Sequence, residues 1–202
     1  MFAIVQAAGW PIWFLIAASV VALALIIERG LALRRRKVMP DDLLEEVLRL
    51  HRAGQVTPQV LQQLDRNSPL GRILATGLRQ VRSTRDAMKE AIEETGRAVA
   101  HDLERYLSAL GTIASTAPLM GLFGTTVGMI EIFSATGPDG GRNPEQLAYG
   151  ISVALYNTAF GLVVAIPALI FYRHYRARVD GYLVEMEQQA LRLVETVRGE
   201  RR

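Results

Sequence analysis

The chain has 202 residues and a mass of 22.3 kDa; half of it is hydrophobic, 21% is charged, and the formal net charge is +3. It contains no cysteine, which excludes disulfide scaffolds, thiolate metal sites and cysteine nucleophiles. Residues 1–27, 106–130 and 146–172 carry no Asp, Glu, Lys, Arg or His. A bilayer-crossing helix needs roughly 20 mostly apolar residues, so three such runs predict a polytopic membrane protein and exclude an ordinary soluble enzyme.

The first run is expected to comprise a short interfacial stretch, residues 1–8, and a span over 9–27. No basic residue precedes it and no small-residue cleavage site follows, so it reads as a retained span rather than a cleaved leader. Residues 28–105 then form a polar loop. It opens with Arg34-Arg35-Arg36-Lys37. Pro40-Asp41-Asp42 starts an amphipathic helix that Gly54 closes. Thr57-Pro58 starts another, with Thr as N-cap and Pro at the first helical position. Asn67-Ser68-Pro69 interrupts it and starts a third, and Ser83-x-x-Asp86 resembles a further helix start.

From there no stop signal is visible before Gly137-Pro138. Met88, Ile92, Thr95, Val99, Leu103, Tyr106 and Leu110 form one stripe, so the second span (106–133) is expected to be the far end of a helix of roughly 50 residues, about 75 Å long. Residues 134–145 are a Gly/Pro turn, and Asn143-Pro144-Glu145 opens the third helix. Beyond the third span (146–172), Val179, Leu183, Met186, Ala190, Leu193 and Val197 step by four and three as a heptad seam through the C-terminal helix, 173–202. The expected fold is all-α, with three transmembrane helices, two of them extended far beyond the membrane. Such stripes need neighbours, which favours a bundle and an oligomer.

Of the 23 Lys and Arg residues, 22 fall in 28–105 and 173–202, and Arg142 alone in 134–145. Basic residues near span ends stay in the cytoplasm, so the N-terminus is expected outside and the C-terminus inside. This placement accounts for the basic pI without nucleic acid. Arg34, Arg35, Arg36 and Lys37 set topology, with contact to anionic lipids as an addition.

Within the spans, polar groups are few. The second span is dense in Gly, Ala, Ser and Thr, and Gly121, Gly124 and Gly128 admit close approach by another backbone. Pro118 and Pro167 each remove a backbone donor and are expected to bend their helices. Thr125, Thr126 and Thr158 are candidate pathway hydroxyls, although a threonine in a helix can return its bond to the backbone four residues earlier. Asn157 cannot be satisfied so locally and must face protein or water. Glu131, the one carboxylate near a span, is either an interfacial residue in water or part of an outer ion entrance. His51, His101 and His174 lie outside the apolar runs and are not spaced as metal ligands, and no Ser in a span has a His or Lys to activate it. No enzyme, metal or cofactor is expected.

The run Ala114-Ser-Thr-Ala-Pro-Leu-Met-Gly-Leu-Phe-Gly-Thr-Thr-Val-Gly128 resembles the second-span signature of the MotA/TolQ/ExbB proton-channel family. Gly150-Ile-Ser-Val-Ala-Leu-Tyr-Asn-Thr-Ala-Phe-Gly-Leu-Val-Val-Ala-Ile-Pro-Ala168 resembles its third-span signature. Three spans match the ExbB and TolQ types, whereas MotA has four. The resemblance implies a pentamer in the bacterial inner membrane around an ExbD-like single-span partner with a titrating Asp. Proton flow would then drive work on a TonB-like protein for uptake of siderophores and vitamin B12. It implies that Thr125 and Thr158 line the lumen near that Asp. A TolQ-like envelope role, a gliding motor and a non-conducting membrane scaffold are the alternatives. One position departs from the pattern: many relatives carry Glu where this chain has Val153, so no carboxylate is available there.

Overall fold

The computed structural model describes residues 9–134 and 144–199. Among these are eight α-helices and no strand: α1 (Pro11–Ala32), α2 (Arg35–Val38), α3 (Leu43–Arg52), α4 (Pro58–Asn67), α5 (Pro69–Arg79), α6 (Arg85–Glu104), α7 (Leu107–Ser134) and α8 (Pro144–Val197). Three of them, α1, α7 and α8, contain segments long and apolar enough to cross a membrane. Residues 1–8 and the turn around Gly137-Pro138 lie outside the described residues.

The chain divides into two compact units. The first joins Met1–Glu28 to Tyr106–His174. Its packing is dominated by small residues. Leu15 of α1 is buried against Ala117 of α7 and Val164 and Ala165 of α8. Trp10 sets its ring edge-on to Phe123, centroids 5.9 Å apart, and Gly111 leaves room for the Tyr172 ring. Away from these contacts α7 is apolar and uncovered, with Leu119, Leu122 and Ile130 exposed. On that helix Thr112, Ser115 and Thr116 donate to carbonyls three or four residues earlier at 2.8–3.1 Å, so these three hydroxyls are satisfied within their own helix. Both α7 and α8 run through their prolines, Pro118 and Pro167, as single helices.

The second unit joins Arg29–Arg105 to Tyr175–Arg202. Its helix starts follow the sequence. Thr57 accepts from the Val60 N–H at 3.3 Å and Ser68 from the Gly71 N–H at 3.0 Å, each followed by proline at the first helical position. At α6 the cap is Thr84, which accepts from Ala87 at 3.3 Å. Ser83, the residue that resembled a start, instead donates to Gln80. The heptad seam is the core face of α8: Val179, Met186, Ala190 and Leu193 are buried with Met88 and Val99 of α6 and Leu70 and Leu74 of α5. Tyr182 donates to the Leu33 carbonyl at 2.9 Å, and Arg35 grips Glu185 with two guanidinium hydrogen bonds, 2.9 and 2.5 Å. That carboxylate holds the Arg35 guanidinium even more firmly in its charged form.

One expectation fails. The 50-residue helix is two helices, α6 ending at Glu104 and α7 starting at Leu107. Arg105 is extended (ψ 136°) and Tyr106 is left-handed (φ 63°). Neither Gly nor Pro causes the break; it coincides with the boundary of the two units. Carbonyls freed from the helical ladder need other donors, and the buried Arg29 guanidinium donates to the Leu103 carbonyl at 3.5 Å. The third span does continue unbroken: α8 has 54 residues, about 80 Å at 1.5 Å per residue.

Candidate functional site: two hydroxyls on a glycine seam

Glycines bring α7 and α8 to backbone contact. A Cβ on Gly121 would stand 2.7 Å from the Asn157 carbonyl oxygen and 3.0 Å from the Thr158 Cα. A Cβ on Gly161 would stand 2.6 Å from the Ala117 carbonyl oxygen. Gly124 makes room for the Asn157 side chain, and Gly128 faces Ala154. Small residues are what allow helices to approach this closely in a membrane. Gly121, Gly124 and Gly128 thus lie on the face of α7 that meets α8. Their counterpart Gly161 is missed by a reading of α7 alone. Its signal is the row Ala154, Thr158, Gly161, Ala165 on α8, which repeats at helical spacing.

The close approach brings Thr125 and Thr158 together. Their Oγ1 atoms are 2.5 Å apart. Thr125 Oγ1 is also 3.2 Å from the Gly121 carbonyl oxygen and 3.1 Å from that of Ala154, and Thr158 Oγ1 is 3.3 Å from the Gly121 oxygen. Two hydroxyls carry two protons. One proton bridges the pair and the other goes to a carbonyl. Thr125 can donate to Thr158, which donates to Gly121; or Thr158 can donate to Thr125, which donates to Ala154 or Gly121. The pair is thus a short hydrogen-bonded chain with two polarities, half-buried and anchored at both ends by backbone.

The other expected residues separate around it. Asn157 is 1% exposed and packs on Gly124, one residue from Thr158. Thr126 points away: it is exposed and donates to its own helix at the Leu122 carbonyl, 3.1 Å. Glu131 is exposed late in α7. It shares with Tyr149, Val153 and Asn157 a cavity of about 300 Å³ lined by α7, α8 and, at Gly9 and Pro11, the start of α1. That Glu131 and Val153 line one space is not visible in the sequence, where they are far apart. In the other unit Arg34, Arg35, Arg36 and Lys37 are all exposed. Arg35 is engaged with Glu185 and, at 3.5 Å, with Asp41.

These features define a class: a helical membrane protein whose two glycine-packed spans hold polar groups on their shared seam. Comparison of sequences makes it specific. The MotA/TolQ/ExbB proton channel family model matches residues 65–188, and the chain belongs to that family. It is 33% identical over 163 residues to a putative biopolymer transport protein, ExbB-like 3, of Synechocystis sp., covering 79% of this chain and 77% of that one. It is 32% identical over 183 residues to the Tol-Pal system protein TolQ of Pseudomonas aeruginosa, covering 82% and 77%. With the biopolymer transport protein ExbB of Aquifex aeolicus it shares 33% identity over 114 residues, 56% of this chain and 76% of that one.

Proposed function

We propose that the chain is the channel subunit of a proton-driven motor in the bacterial inner membrane. Copies form a ring, pentameric as in the family resemblance, around an ExbD-like single-span partner whose carboxylate titrates. The ring's basic surfaces at 28–105 and 173–202 lie in the cytoplasm, with the N-terminus outside, and work is delivered to a TonB-like protein during outer-membrane uptake. The observation that carries this reading is the 2.5 Å Thr125–Thr158 hydroxyl pair. A hydroxyl chain with two polarities can accept a hydrogen bond from a protonated carboxyl and donate one to a carboxylate. It therefore accommodates both states of a passing titratable group, with Asn157 beside it. Gly121, Gly124, Gly128 and Gly161 hold the two spans at the distance the pair requires, and Pro118 and Pro167 shape the same helices.

A TolQ-like role in envelope maintenance is the second reading, favoured by the likeness to the Pseudomonas aeruginosa protein over most of both chains. The test is copurification followed by flux. The membrane complex is isolated through this chain, its single-span companion is identified by mass spectrometry, and proton uptake is measured in proteoliposomes under an imposed potential. A carboxylate-bearing companion and a flux that needs it support the motor. A ring with no companion and no flux would favour the scaffold.

A further inference from the structure

Four apolar residues of α1 line up on one uncovered face. Val20, Leu23, Ile27 and Leu31 follow one another at spacings of three and four, and each is exposed. One further step of three leads to Arg34, just past the end of the helix at Ala32. Arg34, Arg36 and Lys37 are exposed, and among the described residues no ion pair or side-chain hydrogen bond engages any of the three. Arg35 differs, being turned to Glu185 and Asp41.

The turn that carries these cations is fastened to its own unit. Leu33, Val38 and Met39 are buried. Tyr175 of α8 lies against Gly30, where a Cβ would stand 2.9 Å from its hydroxyl oxygen. Tyr182 holds the Leu33 carbonyl and Glu185 holds Arg35. Three attachments to one helix fix the backbone between 30 and 35, so Arg34, Arg36 and Lys37 project from a fixed turn. The stretch from Val20 to Leu31 rises about 17 Å at 1.5 Å per residue, close to the depth of one leaflet, half of a ~30 Å hydrocarbon core.

We propose that this face is a binding site for one anionic phospholipid, in the leaflet on the side of residues 28–105. An acyl chain lies along Leu31, Ile27, Leu23 and Val20, and the phosphate meets Arg34, Arg36 and Lys37. Guanidinium groups bind a phosphate through paired N–H donors, and lysine adds a point charge. Three cations without carboxylate partners favour a headgroup of net negative charge over a zwitterionic one. Arg35 is the strut that holds the turn. The site is independent of the hydroxyl pair and of ion conduction.

The absence of cysteine allows a single probe to be placed. Leu31→Cys in the full chain is labelled with an environment-sensitive fluorophore and reconstituted in phosphatidylcholine vesicles. Either added phosphatidylglycerol or a matched share of the phosphatidylcholine carries bromine in its acyl chains, and quenching reports which lipid occupies the stripe. Val163→Cys, exposed on α8, is the reference and should not distinguish the two lipids. At Leu31→Cys brominated phosphatidylglycerol should be preferred by at least about tenfold, since each basic residue near a membrane surface is worth roughly fivefold in affinity. Arg34→Gln/Arg36→Gln/Lys37→Gln should reduce the preference to that of the reference, while Arg34→Lys/Arg36→Lys should keep most of it.

Equal quenching by the two lipids at Leu31→Cys would overturn the site, as would a preference that survives the triple glutamine change. Quenching by neither lipid would show that protein, such as a second copy, covers the stripe, and would overturn it too. If the triple variant does not assemble, Arg36→Gln alone decides: a preference lowered roughly fivefold supports the site and an unchanged one rejects it.

Discussion

Gly161 and Ala117 touch through backbone alone: a Cβ at 161 would lie 2.6 Å from the Ala117 carbonyl oxygen. No rotamer relieves such a contact, because neither atom belongs to a flexible side chain. The seam between α7 and α8 is therefore set by what is missing from the sequence at 121 and 161, and the position of Thr125 against Thr158 follows from it.

Gly161→Ala should destabilise the chain. Overpacking of a close contact costs about 1–3 kcal/mol, which here exceeds the gain of up to ~1 kcal/mol from replacing a helical glycine. Gly96→Ala and Gly181→Ala supply the opposite sign, because nothing lies within 4 Å of a Cβ at either position. Those two variants should raise the thermal midpoint in detergent while Gly161→Ala lowers it. A Gly161→Ala midpoint equal to or above that of the parent would contradict the close approach.

Gly124→Leu extends the same reasoning to a side-chain contact. The new Cβ alone would stand 2.8 Å from the Asn157 Cβ and Cγ, and the remaining carbons have to displace Asn157 from its buried place. Assembly should fail, with loss of the oligomer on native gels. A full ring that still copurifies with its partner would show that α7 and α8 can separate without cost.

Local chemistry was legible and long-range approach was not. The starts of α4 and α5 could be read from Thr57-Pro58 and Ser68-Pro69, because cap and proline act within one turn. The core face of α8 followed from its heptad steps. The break at Arg105–Tyr106 could not be read, because the apolar stripe continues through Leu103, Tyr106 and Leu110 and no glycine or proline marks it. It coincides with the boundary between the two units, a long-range property that local propensity does not encode. Within the site, Thr125 and Thr126 look alike in sequence, and the helical rotation of 100° between them decides that one meets Thr158 and the other returns to Leu122. The space shared by Glu131 and Val153 depends on the register of α7 against α8, which no spacing in one helix reveals.

Tyr106 tests the break. A non-glycine residue in the left-handed region carries a penalty of roughly 1–2 kcal/mol, and β-branched side chains tolerate it least. Tyr106→Gly should leave the fold intact, whereas Tyr106→Ile should lower the thermal midpoint. If the two helices were continuous, the order would invert, because isoleucine suits a helix interior better than glycine. Midpoints measured side by side in one detergent distinguish the cases.

Thr125→Val and Thr158→Val keep the side-chain shape and remove one hydroxyl each. The loss of a neutral hydrogen bond costs about 1 kcal/mol, so the assembled ring should persist and stability should not obscure the result. In either single variant the remaining hydroxyl can still donate to a carbonyl at 3.1–3.3 Å, so a partial loss of proton flux is expected. In the double variant the chain of two polarities is gone, and flux should fall well below that of either single change. Energised uptake, measured as growth on siderophore-bound iron where the system serves that cargo, should fall with it. Thr126→Val provides the comparison within the same helix, since its hydroxyl returns to Leu122, and it should retain full flux. A double variant that conducts as the parent does, in a ring of normal size, would assign both hydroxyls to helix packing alone.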